Sequence, residues 1–218
     1  MKRKFQHIAY LLMVAAVITS CGEKKQTSEF PDWAWADFQR PEGINPIVSP
    51  DTTTVFYCPM RQDSVAWESS DTFNPAATIY DGKVVVLYRA EDNSAVGIGS
   101  RTSRLGYAYS DDGLHFNRMT VPVFYPADDN QKELEWPGGC EDPRVAVTDD
   151  GLYVMLYTQW NRKQARLAVA TSRDLQIWEK YGPAFAKAYG GRFFDEFSKS
   201  ASIVTKLVDG KQVIAKID

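Results

Sequence analysis

In ATIYDGKVVVLYRA, residues 77–90, two β-rich runs flank the turn Asp81-Gly82. Runs of this kind around an Asp-Gly pair predict a β-hairpin. Three further pairs of runs follow, and they turn at Asp112-Gly113, at Asp150-Gly151 and near Arg173-Asp174. No segment keeps a helical period, so the sequence predicts an all-β protein with little helix.

The hairpins form a repeat with a constant register. Asn74-Pro75 precedes the first hairpin, and Asp142-Pro143 precedes its equivalent in the second repeat. Later positions match at an offset of 62 residues, which aligns Leu105, Ala108, Ser110, Asp112 and Phe116 with Leu167, Ala170, Ser172, Asp174 and Trp178. Four short strands per repeat at this period are typical of β-propeller blades. A β-sandwich would also give short strands, but without this internal register.

A third repeat begins in SASIVTKLVDGKQVIAKID, residues 200–218, and the chain ends within it. The 198 residues from Cys21 onward correspond to about three blades, whereas closed rings use roughly four to eight. The sequence therefore predicts an incomplete β-propeller domain over residues 41–218, as expected of a truncated form of a longer protein.

The N-terminus predicts export. A positively charged start, residues 2–4, precedes an apolar run that is too short for a membrane span and reads as a secretory signal. The run ends in ITSC, residues 18–21, which is similar to the lipobox of bacterial lipoproteins. Residues 1–20 are interpreted as a lipoprotein signal peptide, Cys21 as the lipidated residue, and residues 21–40 as a tether and entry segment. The alternative is an uncleaved N-terminal anchor.

This interpretation predicts an exported protein that is lipid-anchored to a bacterial membrane, in the periplasm or at the cell surface. The net charge of −3 becomes −6 without the signal, because the signal carries three positive residues and no negative one. An acidic domain lacks the positive surface that nucleic acid requires, so no nucleic-acid partner is expected.

The remaining cysteines, Cys58 and Cys140, leave two possibilities open. The exported compartment permits a disulfide, but spacing alone does not show that the two residues approach each other. Two buried thiols are the default expectation. No metal-ligand spacing is present in the sequence, and neither a metal nor a cofactor is expected.

The stretch WPGGCEDPRV, residues 136–145, is expected to carry the chemistry. It opens the second repeat, and in a propeller the start of each innermost strand lines the central channel. Pro143 predicts extended backbone at Asp142. Gly138 and Gly139 predict a close approach of the backbone to the axis. The stretch is therefore expected to present a carboxylate at the channel.

Four segments resemble glycoside hydrolase family 130, the β-mannoside phosphorylases and mannosidases that fold as five-bladed β-propellers. The segments are FNPAATIYDGKVVVLYRAED, SRLGYAYSDDGLHF, GGCEDPRV and ARLAVATSRDLQIW, in that order, and they cover most of residues 70–180. The resemblance implies a carbohydrate-active enzyme that cleaves β-mannosidic linkages in oligosaccharides or glycans. Arabinanase-like propellers share the hairpins but not this combination of motifs.

The resemblance also implies roles for single residues. Asp142 corresponds to the proton-donating aspartate of the family, and an inverting glycosidase needs such an acid to protonate the leaving oxygen. Asn74 and Arg89 correspond to residues that hold the sugar near the scissile bond. For Arg89, a salt bridge to Glu91 or Asp92 at the strand end is the structural alternative.

Three more residues are predicted to contact the substrate: Glu141, Arg144 and Arg104. For Glu141 and Arg144, the alternative is that they pair with each other across the start of the strand. For Arg104, a purely structural role is an equally good explanation of its position.

The attacking group separates two possible activities. An inverting hydrolase uses water, whereas a phosphorylase uses inorganic phosphate as co-substrate, and basic residues must then hold the phosphate. Four residues are candidates for phosphate contact or for a second catalytic group: Arg162, Arg166, Lys199 and Glu196. Export favours hydrolysis, because a sugar phosphate has value inside the cell. A non-catalytic glycan-binding lipoprotein is a third hypothesis.

Overall fold

The computed structural model describes residues 39–209 and 211–215, and the chain from Glu42 onward forms one compact unit. The predicted signal peptide, Cys21 and nearly all of the predicted tether lie outside the described residues. Among the residues that are described, no helix is long and apolar enough to cross a membrane.

Strands dominate the described chain. They are β1 (Phe56–Cys58), β2 (Asp63–Val65), β3 (Asp71–Tyr80), β4 (Lys83–Glu91), β5 (Ser103–Ser110), β6 (Asn117–Arg118), β7 (Gly139–Val147), β8 (Tyr153–Trp160), β9 (Ala165–Ser172), β10 (Glu179–Pro183), β11 (Thr205–Val208) and β12 (Lys211–Ile214). The short helix α1 (Lys132–Glu135) precedes β7, and a 3-10 segment (Ala188–Gly191) follows β10. The expectation of an all-β protein with little helix is confirmed.

Two four-stranded antiparallel units follow each other along the chain. Strands β3 to β6 form the first blade, and strands β7 to β10 form the second. The four turns predicted from the sequence lie between the expected strands. The predicted third repeat is represented by the hairpin β11–β12, in which Val213 pairs in parallel with Val147 of the second blade. Strands β1 and β2 form a separate two-stranded sheet.

The offset of 62 residues has a physical basis in the turns after β5 and β9. The backbone N–H of Gly113 donates to the Ser110 hydroxyl at 2.9 Å, and the N–H of Leu175 donates to the Ser172 hydroxyl at 2.8 Å. In both turns, an aspartate Oδ1 also accepts from two further backbone N–H groups. These side chains satisfy the backbone donors that each turn leaves unpaired, so the same residues recur at the same places.

Strand β4 separates two hydrophobic cores. Val85 and Leu87 pack into the core that the two blades share, whereas Tyr88 packs into a second core together with residues of β1 and β2. Because side chains alternate along a strand, Arg89 and Glu91 lie on the same face as Leu87. The charged end of β4 is therefore directed into the space between the two blades.

The two cysteines belong to different cores. Cys58 lies in the second core and Cys140 in the core shared by the blades, and both are buried free thiols. Burial raises the pKa of the Cys140 thiol well above its usual value. The default expectation of two buried thiols is confirmed, and the disulfide that the sequence left open is not formed.

We expect Gly106→Ala to destabilise the full-length protein by about 2 kcal/mol, because overpacking forces its neighbours to shift. A Cβ at Gly106 would lie 2.2 Å from Cζ of Tyr88, inside a packed core. Urea denaturation measures the change in free energy of unfolding. Gly82→Asn is the control, since Gly82 has φ +72° and open space around it, and asparagine tolerates that backbone conformation. Equal losses in the two variants would contradict the packing explanation.

Candidate active site

Asn74 and Asp142 occupy equivalent places in the strands β3 and β7, where each blade begins. The pairing of β3 with β4 and that of β7 with β8 both shift register at these residues. Both residues have left-handed backbone, with φ 46° at Asn74 and φ 52° at Asp142. Asparagine and aspartate are among the non-glycine residues that tolerate this conformation best. The two strand starts are bulged in the same way.

The prediction of extended backbone at Asp142 is wrong. The preference that Pro143 imposes on its neighbour is local, whereas the bulge places the Asp142 side chain among specific partners. Asn74 Nδ2 donates to Asp142 Oδ1 at 2.9 Å, and Arg89 Nη1 donates to the same oxygen at 3.0 Å. These tertiary contacts outweigh the local preference and leave Asp142 only 4% exposed.

Arg89 is the centre of the cluster and is 2% exposed. Its Nη2 donates to Glu91 Oε1 at 2.6 Å and lies 2.8 Å from Glu141 Oε1. Its Nη1 lies 3.0 Å from Asp142 Oδ1. Its Nε donates to Ser103 Oγ at 3.0 Å. One planar guanidinium thus holds three buried carboxylates through its fixed fork of donors. The salt bridge between Arg89 and Glu91 that the sequence offered as an alternative is present.

Lys199 adds a second cation from the loop after β10. Its Nζ lies 2.7 Å from Glu141 Oε2 and 3.2 Å from Asp142 Oδ2. Burial by itself would lower the pKa of Lys199, but the hydrogen bond to Glu141 and the charges of Glu141 and Asp142 raise it. Arg89 and Lys199 thus place two cations directly against the carboxylates of Asp142, Glu141 and Glu91.

Asp142 is held as a carboxylate in this arrangement. Burial by itself would raise the pKa of Asp142, but the hydrogen bond from Asn74 and the charges of Arg89 and Lys199 outweigh burial and lower it. A general acid has to carry a proton before it can donate one. The charges around Asp142 must therefore change before it acts, and Lys199 is the cation that contacts Oδ2, the oxygen that Arg89 leaves free.

The glycines before this cluster bring strands together, as predicted, but against neighbouring strands. A Cβ at Gly138 would lie 2.3 Å from the carbonyl oxygen of Trp160, and one at Gly139 would lie 2.2 Å from the carbonyl oxygen of Ser103. The missing side chains allow β7 to lie against both β8 and β5. This approach brings Ser103 of the first blade to within 3.5 Å of Glu141 in the second.

Arg104 lies outside the cluster. It is fully buried on the opposite face of β5, where Nη1 donates to Asp92 Oδ2 at 2.9 Å and Nη2 lies 3.5 Å from the Cys58 sulfur. Asp92 thus pairs with Arg104 and not with Arg89. These contacts agree with the structural alternative for Arg104 and give it no place beside Asp142.

Arg144 does not pair with Glu141, so that structural alternative is wrong. Arg144 Nη1 donates to the carbonyl of Pro143 at 2.7 Å, whereas Glu141 is bound by Arg89 and Lys199. Glu141 faces the cluster because it precedes the bulge, and the register shift separates it from Arg144.

The remaining predicted residues are spread along the second blade and the loop that follows it. Arg162 is exposed between β8 and β9. Arg166 is buried; its Nη2 donates to Asp195 at 2.7 Å, and its Nε donates to the carbonyl of Phe194 at 3.1 Å. Glu196 is exposed on the loop that carries Lys199. Of these candidates for phosphate contact, only Lys199 reaches Asp142.

Ser103 and Arg101 complete the cluster and were not assigned from the sequence. Ser103 Oγ donates to Glu91 Oε1 at 3.2 Å, and Arg101 Nη1 lies 3.6 Å from Glu91 Oε2. The place of Glu91 in the cluster could have been predicted from the sequence, because Glu91 follows Arg89 by two residues and so lies on the same face of the strand. The place of Ser103 could not have been predicted from the sequence, since its position opposite Glu91 depends on the register of β4 and β5.

The donor set of the cluster suits cations of the protein better than a metal ion. Arg89 and Lys199 bind both oxygens of Glu141 and of Asp142 and Oε1 of Glu91, while Oε2 of Glu91 lies 3.6 Å from Arg101 Nη1. Within the described ranges, no three His, Cys, Asp or Glu side chains group as metal ligands.

Two consecutive four-stranded antiparallel blades define a protein of the β-propeller class. The family model Glyco_hydro_130, described as β-1,4-mannooligosaccharide phosphorylase, matches residues 39–217. The chain belongs to glycoside hydrolase family 130. Members of this family fold as five-bladed β-propellers, and this chain supplies part of one, so the predicted fold class is confirmed.

Three relatives illustrate the range of names in the family. A 1,2-β-oligomannan phosphorylase from Thermoanaerobacter sp. (strain X514) is 36% identical over 68% of this chain and 46% of its own length. A crystal structure of a candidate glycosidase from Bacteroides thetaiotaomicron VPI-5482 is 99% identical, with TM-score 0.85, over 88% of this chain and 55% of that one. The chain thus spans about half the length of these relatives.

A third relative, also a solved structure, is 69% identical to this chain, with TM-score 0.84. The match covers 87% of this chain and 53% of the chain of that relative. Its structure comes from work showing that this family of mannoside phosphorylases also contains glycoside hydrolases. Those hydrolases target β-1,2 mannosidic linkages in Candida mannan.

We expect Arg89→Met to destabilise the full-length protein by about 3–5 kcal/mol, because the change leaves buried carboxylates without their main cation. Adding Glu91→Gln should recover part of this loss, since it removes one of the unpaired charges. Urea denaturation of both single variants and the double variant gives the coupling. Arg173→Met is the control: Arg173 forms an exposed pair with Asp150, which is worth less than about 1 kcal/mol. Strictly additive losses at Arg89 and Glu91 would contradict the shared network.

Proposed function

We propose that the full-length protein cleaves β-mannosidic linkages as an inverting glycoside hydrolase, with Asp142 as the general acid. The observation that carries the proposal is the geometry of this carboxylate. Oδ1 accepts from Asn74 and Arg89, so the side chain is fixed and Oδ2 is the oxygen that can carry a proton. Family membership makes a β-mannoside the substrate class, and the names of the relatives favour β-1,2 linkages.

The reaction needs two groups on opposite sides of the sugar ring. The bond between C1 and the leaving oxygen breaks, and that oxygen takes the proton from Asp142. Water attacks C1 from the other face and gives its proton to a second carboxylate, which leaves inverted mannose. Arg89, which is buried, and Asn74 fix the acid, and Asn74, which is exposed, is placed to meet the sugar beside it, as the resemblance implies.

The charge balance of the cluster supports water as the attacking group. A phosphate dianion needs uncompensated positive charge, but Arg89 and Lys199 are set against three carboxylates, and Arg101 is paired with Asp71 as well as Glu91. Arg166 is likewise bound by Asp195. The 69% identical structure from work on hydrolases of this family supports the same choice.

Phosphorolysis is the second candidate. It is favoured by the description of the family model and by the name of the Thermoanaerobacter relative. Lys199, beside Asp142, would then contact phosphate after leaving its carboxylate partners. A non-catalytic glycan-binding protein is a third possibility, which the proton-donating geometry of Asp142 does not favour.

We also propose that the protein is exported and anchored through a lipid on Cys21. The residues ITSC at positions 18–21 and the charged, apolar start of the chain support this. An extracellular or periplasmic setting agrees with hydrolysis, because released mannose can be imported, whereas mannose 1-phosphate would be stranded.

The experiment that tests the activity incubates the full-length protein with β-1,2-mannobiose, with and without inorganic phosphate. We expect free mannose at a rate independent of phosphate, and inversion detected by NMR immediately after cleavage. Asp142→Asn should lower turnover by at least about a hundredfold, since general acid catalysis typically contributes 10²–10⁴. The fold of this variant is checked by circular dichroism.

Mannose 1-phosphate, formed at a rate that rises with phosphate, would overturn hydrolysis in favour of phosphorolysis. Asp142→Asn with activity within a few-fold of wild type would remove Asp142 from the role of acid. Binding of mannobiose without any turnover would favour the glycan-binding hypothesis.

We expect Lys199→Met to shift the alkaline limb of the pH profile of kcat/KM to higher pH. Removal of a positive charge beside Oδ2 disfavours the carboxylate form, so the pKa of Asp142 rises. A general acid is active while protonated, so activity then persists to higher pH. Profiles of wild type and variant on the same mannobiose measure the shift. A limb that stays in place, or moves to lower pH, would show that Lys199 does not control the acid.

A further inference from the structure

The loop from residue 184 to residue 199 brings Lys199 to Asp142 and also builds a cavity of its own. We propose that this cavity binds the leaving-group sugar of the β-mannoside, on the side of the scissile bond that receives the proton from Asp142. The inference rests on the proposed function and assigns a sugar subsite to residues that the acidic cluster does not use.

The cavity has a volume of about 400 Å³ and is lined by side chains of this one loop: Phe185, Ala188, Tyr189, Phe193, Glu196 and Ser198. That volume lies within the range of small-ligand sites. The rings of Tyr189 and Phe193 meet edge to face, with centroids 5.5 Å apart. Tyr189 is 86% exposed in the part of the protein that this chain covers.

The loop is held in place on the second blade. The N–H of Ser198 donates to the carbonyl of Ala165 at 3.1 Å, and Ser198 Oγ accepts from the N–H of Leu167 at 3.0 Å. Arg166 holds the loop from the same strand through Phe194 and Asp195. The cavity therefore has a fixed position next to Lys199, which directly follows Ser198 in the chain.

The position of the transferable proton on Asp142 also supports a sugar subsite at this loop. Asp142 Oδ1 accepts hydrogen bonds from Asn74 and Arg89, so a proton on this carboxyl resides on Oδ2. Oδ2 faces Lys199, at 3.2 Å. The leaving oxygen must approach Oδ2 to take the proton, so the sugar attached to that oxygen extends toward the loop that carries Lys199.

The lining of the cavity suits a pyranose ring. The C–H face of a sugar ring packs against aromatic rings such as those of Tyr189 and Phe193, and a few polar groups at the edge of a pocket fix its orientation. The surface of the cavity is apolar, so the contact with a sugar rests on these aromatic rings.

The test compares two substrates that share the mannosyl group and differ in the leaving group: β-1,2-mannobiose and β-mannosyl fluoride. We expect Tyr189→Ala in the full-length protein to lower kcat/KM for mannobiose about tenfold, the size of one lost aromatic contact. The kcat/KM of the variant for β-mannosyl fluoride, which has no leaving sugar, should stay within about twofold of the wild-type kcat/KM. Tyr57→Ala is the matched control, an equally simple truncation of a tyrosine that is 62% exposed on β1.

Equal losses on both substrates, or no loss on either, would overturn the subsite. A lowered melting temperature with equal losses would show that Tyr189 packs against another part of the protein. If wild type turns over neither substrate, the proposed function fails, and the cavity is then tested by binding alone. Calorimetry with β-1,2-mannobiose and the Asp142→Asn variant should give about tenfold weaker affinity when Tyr189→Ala is added. Unchanged affinity would reject the subsite independently of catalysis.

Discussion

The ion pairs of Arg89 join the two blades at the place where their inner strands begin. Arg89 comes from the first blade, and Glu141 and Asp142 come from the second. Buried carboxylates cost several kcal/mol each unless their partners are well placed, so this arrangement persists only if the blades keep a fixed relation. Ser103, which donates to Glu91 and lies against Glu141, fixes the same geometry with a neutral group.

The backbone is shaped to bring these charges together. Left-handed residues cost about 1–3 kcal/mol each and persist only where the surroundings fix them. Asn74 and Asp142 both adopt such a conformation, and they hydrogen-bond to each other. Gly138 and Gly139 remove the side chains that would keep β7 away from its neighbours. Strain and close approach thus coincide at the carboxylate to which we assign the proton transfer.

The loop that ends at Lys199 carries both the cation beside Asp142 and the cavity that we propose as a sugar subsite. In the structure, Lys199 helps to hold Asp142 as an anion. A leaving sugar in the cavity of the same loop would approach Oδ2 from the side that Lys199 occupies. If both proposals hold, substrate binding and protonation of Asp142 are coupled through one segment, because both depend on where that lysine lies.

The sequence by itself determined the strands, their turns and the repeat, since Asp-Gly pairs, alternating side chains and recurring Ser-x-Asp turns act over a few residues. It also pointed to Asn74, Arg89 and Asp142 through motifs at the starts and ends of strands. It left the role of Arg104 open, because the two faces of a blade differ only in what packs on them. The left-handed backbone of Asp142, the contact of Lys199 with Glu141 at 58 residues' distance in the chain and the aromatic cavity were decided by the tertiary structure, since each depends on how blades and loops meet in space.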